Sequence, residues 1–339
     1  MLAPRLDRRL DVLLDRTRPE PPGLADLVAA GLDRLPLPGS GRTLERWQAL
    51  AAVAACDLSL VKRFEGHTDA LAILAELGGA QAPEGSRWGT WCAEPPTARL
   101  ALRQRDGRWV LEGTKAWCSG AADATHAIVS CWDDDGAQRL AAVAMAQPGV
   151  RVTDQGWHAV GMSATGSVDV QFDGAEALPI GEPGDYVARP GFWQGGAGIA
   201  ACWYGGAWGI AEMTRALCGP RPDAHRLAHL GAIDVALAGA AAVLRETAAW
   251  IDEQPSSLAH PCALRARLVT EAAASAVLEH AGRALGAGPL CRDPRFARAM
   301  ADLPVFLRQS HAERDLAALG QLAVQAIQDN DEETPSWTL

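Results

Sequence analysis

The sequence predicts an α+β fold in which helical segments flank a central block of strands. Three observations support this prediction. Apolar residues recur at helical spacing before residue 87, they alternate with polar residues in short runs from Trp88 to about Pro179, and long Ala-rich helical patterns follow. At 339 residues the chain is long enough for two or three domains. We place these domains at residues 1–87, 88–178 and 179–339, the last with a polar tail.

The first region is predicted to be helical. Leu6, Leu10 and Leu13 lie on one helical stripe, and an Ala/Leu-rich run extends from Leu44 to Leu77. Proline-rich stretches separate these helices because proline interrupts helical hydrogen bonding. They lie at residues 19–23 and 36–41.

The middle region is predicted to be a small β sandwich or barrel. Its short runs of β-forming residues are separated by turn pairs such as Asp106-Gly107 and Asp173-Gly174. Six short strands at this spacing are typical of those two architectures. The expected strands are residues 99–103, 109–111, 127–132, 140–145, 150–152 and 167–172.

The last region is predicted to contain four antiparallel helices. Gly and Pro cluster at residues 219–222, 254–255 and 286–289, where they mark the corners between helices. The expected helices are residues 195–217, 226–254, 262–285 and 296–329.

Composition excludes several function classes. The net charge of −10 argues against a general nucleic-acid binder, which needs basic surface to displace phosphate counterions. No run of about 18 apolar residues predicts a membrane span, and the N-terminus lacks the apolar core of a signal peptide. The eight cysteines form no CxxC pair and the histidines show no metal-ligand spacing, so we expect no metal site. A cytoplasmic location is expected.

Two segments at predicted strand ends carry candidate chemistry. In residues 112–120, Trp117, Cys118 and Ser119 place a planar ring beside a small hydroxyl group, an arrangement that can hold a flat heterocycle. Upstream, Cys92 and Ala93 stand in the segment Trp91-Cys-Ala-Glu-Pro95, which ends another polar-apolar run. A packed tryptophan in a half-buried strand is the alternative explanation.

These segments, the order of helical and β regions, and residues 156–163 resemble the acyl-CoA dehydrogenase family, whose members bind FAD. The resemblance implies that Trp117 covers the flavin ring, that Ser119 forms a hydrogen bond near flavin N5, and that Cys92 and Ala93 lie on the ring side. Fixed donors beside N5 would stabilise the charge of the reduced ring. Gly286 and Gly288 resemble the glycine turn that binds the flavin pyrophosphate, often across a subunit interface.

The family's catalytic glutamate has no direct equivalent. Counting from Asp302 places Ser310 at the expected position, and the nearest titratable groups are His311 and Glu313. Residues two apart on a helix point about 200° from each other, so only one of them can face a flavin. Asp315, four residues after His311, would share its helix face and orient the imidazole.

The resemblance implies an FAD-dependent oxidoreductase that oxidises adjacent carbons of an acyl-CoA or carrier-bound acyl group. It also implies a homodimer or homotetramer and an electron-transfer partner. Two alternatives stay open. A histidine near position 311 is also similar to the flavin-dependent monooxygenases of the same superfamily, and a flavin-free interaction subunit could keep the fold.

Overall fold

The computed structural model describes residues 8–15, 22–78 and 81–329. Within these ranges, helices precede a sheet and further helices follow it, which confirms the predicted α+β architecture. Leu6, most of the proline-rich stretch at 19–23 and the predicted polar tail lie outside the described residues.

The first helical region contains a break that the sequence pattern did not predict. Asp57 is extended, and its side chain accepts a hydrogen bond from the Leu60 backbone N–H at 2.6 Å, which caps the next helix. The Ala/Leu-rich run is therefore two helices rather than one. The helices are α1 (Arg8–Leu13), α2 (Leu24–Ala29), α3 (Thr43–Cys56) and α4 (Leu58–Leu77).

All six predicted strands are present, and the described residues contain a seventh at Trp88–Trp91. The sequence predicted only the end of a polar-apolar run here, because four residues with two tryptophans are too short to establish a period of two. The strands are β1 (Trp88–Trp91), β2 (Leu100–Arg105), β3 (Arg108–Cys118), β4 (His126–Trp132), β5 (Gln138–Ala144), β6 (Val150–Val152) and β7 (Val168–Ile180).

The strands close into a barrel, which decides between the two predicted β architectures. The order β4-β2-β3-β7-β5 is completed by antiparallel pairing of β5 with β4, while β1 pairs with β4 and β6 with β7. Between β2 and β4 the ring is closed by one parallel pair, Ala101 with Trp132. The inward positions form an apolar cluster that includes Leu100, Leu111, Val129 and Phe172.

The helices after the barrel turn at the predicted corners, with one exception. The predicted helix at 296–329 is wrong as a single element, because residues 308–312 separate two helices. The elements are α5 (Asp185–Ala188), α6 (Pro190–Leu217), α7 (Ala224–Glu253), α8 (His260–Leu285), α9 (Ala287–Arg292), α10 (Pro294–Leu307) and α11 (Glu313–Asp329).

Helices from both ends of the chain share one apolar core. Leu50 and Phe64 from the first region pack in the same cluster as Trp203, Phe296 and Leu303 from the last. Burial of such a continuous core holds the two helical regions together. The three-domain division stays a prediction, and its boundary after residue 178 falls inside β7.

Helix α7 is unusual in its exposure. Among the described helices, it is the one that is long and apolar enough to cross a membrane. Only 17% of its most apolar 18-residue stretch is buried in the protein. Leu227 and Val235 are largely exposed, and Asp234 interrupts the apolar run. Such a composition alone is weak support for a span, and an apolar exposed face also suits contact with another protein surface.

Candidate active site

At the end of β3, the side chain of Trp117 points out of the barrel. Lys115 pairs with Val170 and Cys118 with Val168, so β3 contains one extra residue there, a β-bulge. Trp117 lies in this bulge with φ of 58°, in the left-handed region that is costly for a residue with a Cβ, and its side chain is 51% exposed. Cys118 points the other way and is buried. The bulge therefore presents an uncovered indole and withdraws the cysteine.

A buried ion pair joins the two segments that the sequence singled out. Lys115 is buried and its Nζ donates to Glu94 Oε1 at 2.6 Å and to Ser130 Oγ at 2.7 Å. Trp132 Nε1 donates to the second Glu94 oxygen at 3.0 Å. Partial burial alone would raise the pKa of Glu94, but the hydrogen bonds from Lys115, Ser130 and Trp132 outweigh it and the pKa is lowered. Glu94 is thus a fixed carboxylate with a structural partner.

The tryptophan that ends β1 also contacts the end of β3. Trp91 Nε1 donates to the Ser119 carbonyl oxygen at 3.1 Å. The next residue, Cys92, lies against Tyr186, and burial raises the pKa of its thiol to about 11, so it is protonated at neutral pH. Ala93 is exposed. We call the surface formed by residues 91–94 and 115–119 the ring wall.

The Ser119 hydroxyl belongs to a chain of hydrogen bonds. Its Oγ lies 2.7 Å from Ser167 Oγ, which lies 2.8 Å from Thr165 Oγ1. Thr165 in turn donates to the Met162 carbonyl oxygen at 2.8 Å. Ser167 and Thr165 are buried, whereas Ser119 is half-buried. Ser119 is the accessible end of this chain.

The predicted catalytic residues lie at the loop between α10 and α11. His311 precedes the first turn of α11, so the helical-face argument that separated it from Glu313 does not apply; Ala312, between them, has φ of 45°. The expected contact with Asp315 is nevertheless present. Asp315 accepts a hydrogen bond from the His311 backbone N–H at 3.2 Å and lies 3.4 Å from its Nδ1. The imidazole is 57% exposed.

The neighbours of His311 differ from it in accessibility. Ser310 is buried and its hydroxyl accepts from the Ala312 backbone N–H at 3.1 Å, so it is engaged within the loop. Glu313 is exposed at the start of α11. His311 therefore combines exposure with a fixed carboxylate partner.

Helix α8 holds this loop from one side. Arg267 is only 8% exposed and donates to the Gly196 carbonyl on α6 at 2.8 Å and to the Gln309 carbonyl at 3.0 Å. One turn later, Glu271 accepts from the Arg308 guanidinium at 2.6 Å. Burial lowers the pKa of Arg267, and the charges of Asp315, Glu271 and Glu65 oppose that shift. We call Arg267 and Glu271 the α8 clamp.

The barrel contacts α10 close to this loop. The Met162 backbone N–H donates to Asp302 Oδ1 at 2.5 Å, and Trp157 Nε1 donates to the Met162 carbonyl at 3.2 Å. A Cβ on Gly161 would overlap the Ala301 carbonyl oxygen, so glycine permits this close approach. Burial raises the pKa of Asp302.

Two predicted residues lie far from the others. Gly286 caps α8 and Gly288 is in α9, and both are exposed. Gly286 is nineteen positions after Arg267, which is about 28 Å along a helix axis. Within one chain they are therefore remote from His311, and a role in binding would require a second subunit.

Two buried charged residues that organise the site, Lys115 and Arg267, were not predicted from the sequence. Lys115 shares the inward phase of β3 with Leu111, and Arg267 lies on the buried stripe of α8 with Ala263 and Ala274. A charged residue on an apolar stripe is the signal that could have found both, because an unpaired buried charge is too costly to persist. Among the described residues, no group of three or more His, Cys, Asp and Glu could hold a metal ion.

Comparison with known proteins finds relatives of the middle region and of the overall fold. Residues 89–175, which include the ring wall and most of the barrel, match the acyl-CoA dehydrogenase middle domain. This match confirms the predicted resemblance to acyl-CoA dehydrogenases over the middle region of the chain. A 94-residue stretch is 44% identical to the amino sugar nitrososynthase DnmZ of Streptomyces peucetius, covering 25% of this chain and 23% of that protein.

Two solved structures of this superfamily fold cover nearly the whole chain. KijD3 in complex with dTDP has a TM-score of 0.79 at 21% identity, covering 95% of this chain and 96% of that one. FMN-bound TdsC of Paenibacillus sp. A11-2 has a TM-score of 0.78 at 20% identity, covering 98% and 100%.

The ligands of these structures correct the predicted cofactor and bear on the predicted substrate. KijD3 has also been solved with FMN and a dTDP-linked 3-amino sugar, and TdsC holds FMN. The expectation of FAD is wrong, since similar members of the superfamily bind FMN. Gly286 and Gly288 were expected to bind the pyrophosphate of FAD, a group that FMN lacks. KijD3 holds a nucleotide-linked amino sugar rather than an acyl thioester.

Proposed function

We propose that the chain is an FMN-dependent monooxygenase. The observation that carries the proposal is the α10–α11 loop, which presents His311 with Asp315 and places a buried serine where dehydrogenation would need a glutamate. Removing a proton from a carbon beside a thioester requires a positioned base, and Ser310 cannot serve. TdsC, which has a similar fold, is a dibenzothiophene monooxygenase.

The ring wall suits a flavin on its own geometry. The left-handed backbone at Trp117 holds an apolar ring half in solvent, where its burial gains nothing for the folded chain. Strained backbone that exposes an aromatic ring is the kind of feature found at ligand sites. Trp117 would cover one face of FMN and Ser119 would meet N5, with Cys92 and Ala93 at the ring edge. Bound FMN, once reduced, would supply the electrons for cleavage of dioxygen.

His311 would act on the substrate. Asp315 beside Nδ1 favours the tautomer with a proton on that nitrogen, which leaves Nε2 to take a proton from the group being oxidised. The α8 clamp would hold this loop against α8 while protons move. Glu313 stays the second candidate for this role.

The substrate class is suggested by the relatives. DnmZ is an amino sugar nitrososynthase and KijD3 holds a dTDP-linked amino sugar, so a nucleotide-linked amino sugar is our first candidate, oxidised at its amine nitrogen. A reductase that supplies reduced FMN is the implied partner. We further propose a cytoplasmic location and self-association through the exposed apolar face of α7.

The test combines flavin binding with oxygen chemistry. Purified protein would be supplied with FMN, NADH and a flavin reductase, and a dTDP-amino sugar would be analysed by mass spectrometry for ¹⁸O from ¹⁸O₂. We expect one labelled oxygen in the product, its loss in His311→Ala, and no change in the control His225→Ala, which alters an exposed histidine on α7. Anaerobic bleaching of bound flavin by an acyl-CoA panel would instead support dehydrogenation. Absence of FMN binding in either redox state would favour a flavin-free subunit.

A further inference from the structure

The hydroxyl chain behind the ring wall has a fixed direction. Its fixed end is the Met162 carbonyl oxygen, which has no proton to give. Two oxygens 2.8 Å apart repel each other unless a proton lies between them, so the Thr165 hydroxyl proton points at Met162. The Met162 carbonyl also accepts from Trp157 Nε1 and from the Thr165 backbone N–H, and it is buried. The direction of the Thr165 hydrogen bond is therefore determined by the fold.

The direction then propagates outward, since each hydroxyl has one proton. The Thr165 proton is used, so the 2.8 Å contact between Thr165 and Ser167 requires the Ser167 proton. The Ser167 proton is then also used, and the 2.7 Å contact between Ser167 and Ser119 requires the Ser119 proton. Ser119 consequently directs its only hydroxyl proton inward and offers lone pairs to a ligand.

A residue that only accepts discriminates between the two redox states of a flavin. Oxidised flavin has a bare, accepting nitrogen at N5, whereas the two-electron reduced ring carries an N–H there. An acceptor facing an acceptor forms no hydrogen bond and leaves both groups desolvated, which costs more than the bond would gain. We infer that the chain Ser119–Ser167–Thr165 makes this site selective for reduced FMN. The inference rests on the proposed function, in which Ser119 meets N5.

This assigns roles to two residues that touch no ligand. Ser167 and Thr165 are positioning residues, because they act only by consuming the proton of the next hydroxyl. The selectivity would suit a protein that receives reduced FMN from a reductase and must release oxidised FMN. It follows from the hydrogen-bond directions together with the position of Ser119 at N5, and it does not depend on which substrate is oxidised.

The test measures FMN affinity in both redox states by anaerobic titration. We expect wild-type protein to bind reduced FMN at least about tenfold more tightly than oxidised FMN, since one hydrogen bond of about 1.4 kcal/mol is a factor of ten. Ser167→Ala removes the inner acceptor and frees the Ser119 proton to turn outward, so the ratio should fall toward one, chiefly through tighter binding of oxidised FMN. Ser119→Ala should weaken reduced FMN alone. Ser163→Ala, an exposed serine in the same turn, is the matched control and should leave the ratio unchanged.

A second measurement covers variants that fail to fold. The midpoint potential of FMN bound to wild-type protein should lie above that of free FMN by about 30 mV for each tenfold of selectivity, because the couple transfers two electrons. Equal affinity of the wild-type protein for both redox states, or an unchanged ratio in a folded Ser167→Ala variant, would overturn the inference. Failure to bind FMN in either state would instead defeat the proposed function.

Discussion

The ring wall and the α10–α11 loop, the two parts of the proposed site, are held in place by different means. In the wall, side chains hold side chains: Lys115 bonds to Glu94, and Ser119 to Ser167. In the loop, side chains from other elements also hold backbone groups, as Arg267 holds the Gln309 carbonyl and Asp315 the His311 N–H, beside the side-chain pair Arg308–Glu271. A hydrogen bond between two side chains is lost when either residue is replaced. A contact with a backbone group persists when the side chain of that loop residue is changed.

The largest effect is expected from breaking the pair in the wall. Lys115→Met should lower the free energy of unfolding by about 3–5 kcal/mol, because it leaves Glu94 without its buried cation. Urea denaturation measures the change. The double variant Lys115→Met, Glu94→Gln should recover part of the loss, whereas simple additivity of the two single variants would show that the pair does not couple the two segments.

A smaller loss is expected from releasing the loop. Arg267→Gln removes charged hydrogen bonds to two backbone carbonyls and should cost about 2 kcal/mol. Hydrogen exchange should become faster at residues 308–312 and stay unchanged in the barrel. Arg283→Gln, an exposed ion-paired arginine on the same helix, should have an effect within about 0.5 kcal/mol. Unaltered exchange at 308–312 in a folded Arg267→Gln protein would mean that α8 does not hold the loop.

At Trp117, a substitution is expected to change FMN affinity much more than the free energy of unfolding. Trp117→Gly should change the free energy of unfolding by no more than about 1 kcal/mol, since relief of the left-handed backbone offsets the loss of a half-exposed ring. The same variant should bind FMN at least about tenfold more weakly, as followed by flavin fluorescence. Trp203→Ala, which truncates a fully buried indole, should cost about 3–5 kcal/mol. A comparable cost at Trp117 would make its ring part of the core rather than of the wall.

The smallest effect concerns the contact between the barrel and α10. Burial raises the pKa of Asp302, so the ionised carboxylate destabilises the fold at neutral pH. Asp302→Asn keeps an oxygen that can accept from the Met162 N–H and should raise the free energy of unfolding at pH 7 by less than about 1 kcal/mol. The gain should shrink as pH falls through the raised pKa, where wild-type Asp302 becomes protonated. Denaturation curves at several pH values measure this; a gain that grows toward acid pH would contradict the stated sign.

Sequence reasoning predicted the barrel well because strand periodicity and turn residues are local signals. Five strands close the barrel at positions that alternate as expected, and only β1 lacked a readable period. The bulge at Trp117 could not be predicted, since it exists only in the pairing of β3 with β7. Likewise, the break at 308–312 contains no glycine or proline. It is stabilised by Arg267 and Asp315, which no pattern within the loop itself indicates.

The candidate site was predicted in part for the same reason. The contact of His311 with Asp315 was found from their spacing, although the helical geometry assumed for it was wrong. The resemblance suggested FAD because ring-binding residues near Trp117 do not distinguish flavins that differ beyond the ring. In the proposed site, the part in which FMN and FAD differ would lie away from the ring wall.

The Lys115–Glu94 bond also constrains how the chain can evolve. It joins positions that are 21 residues apart in sequence, and each sits in a segment that faces the candidate flavin site. Replacing Lys115 alone would leave the Glu94 carboxylate without its cation. We therefore expect the two positions to change together or not at all. The two segments of the wall are thereby coupled, whereas the contacts of Arg267 with the Gln309 carbonyl and of Asp315 with the His311 N–H do not depend on the side chains of those two loop residues.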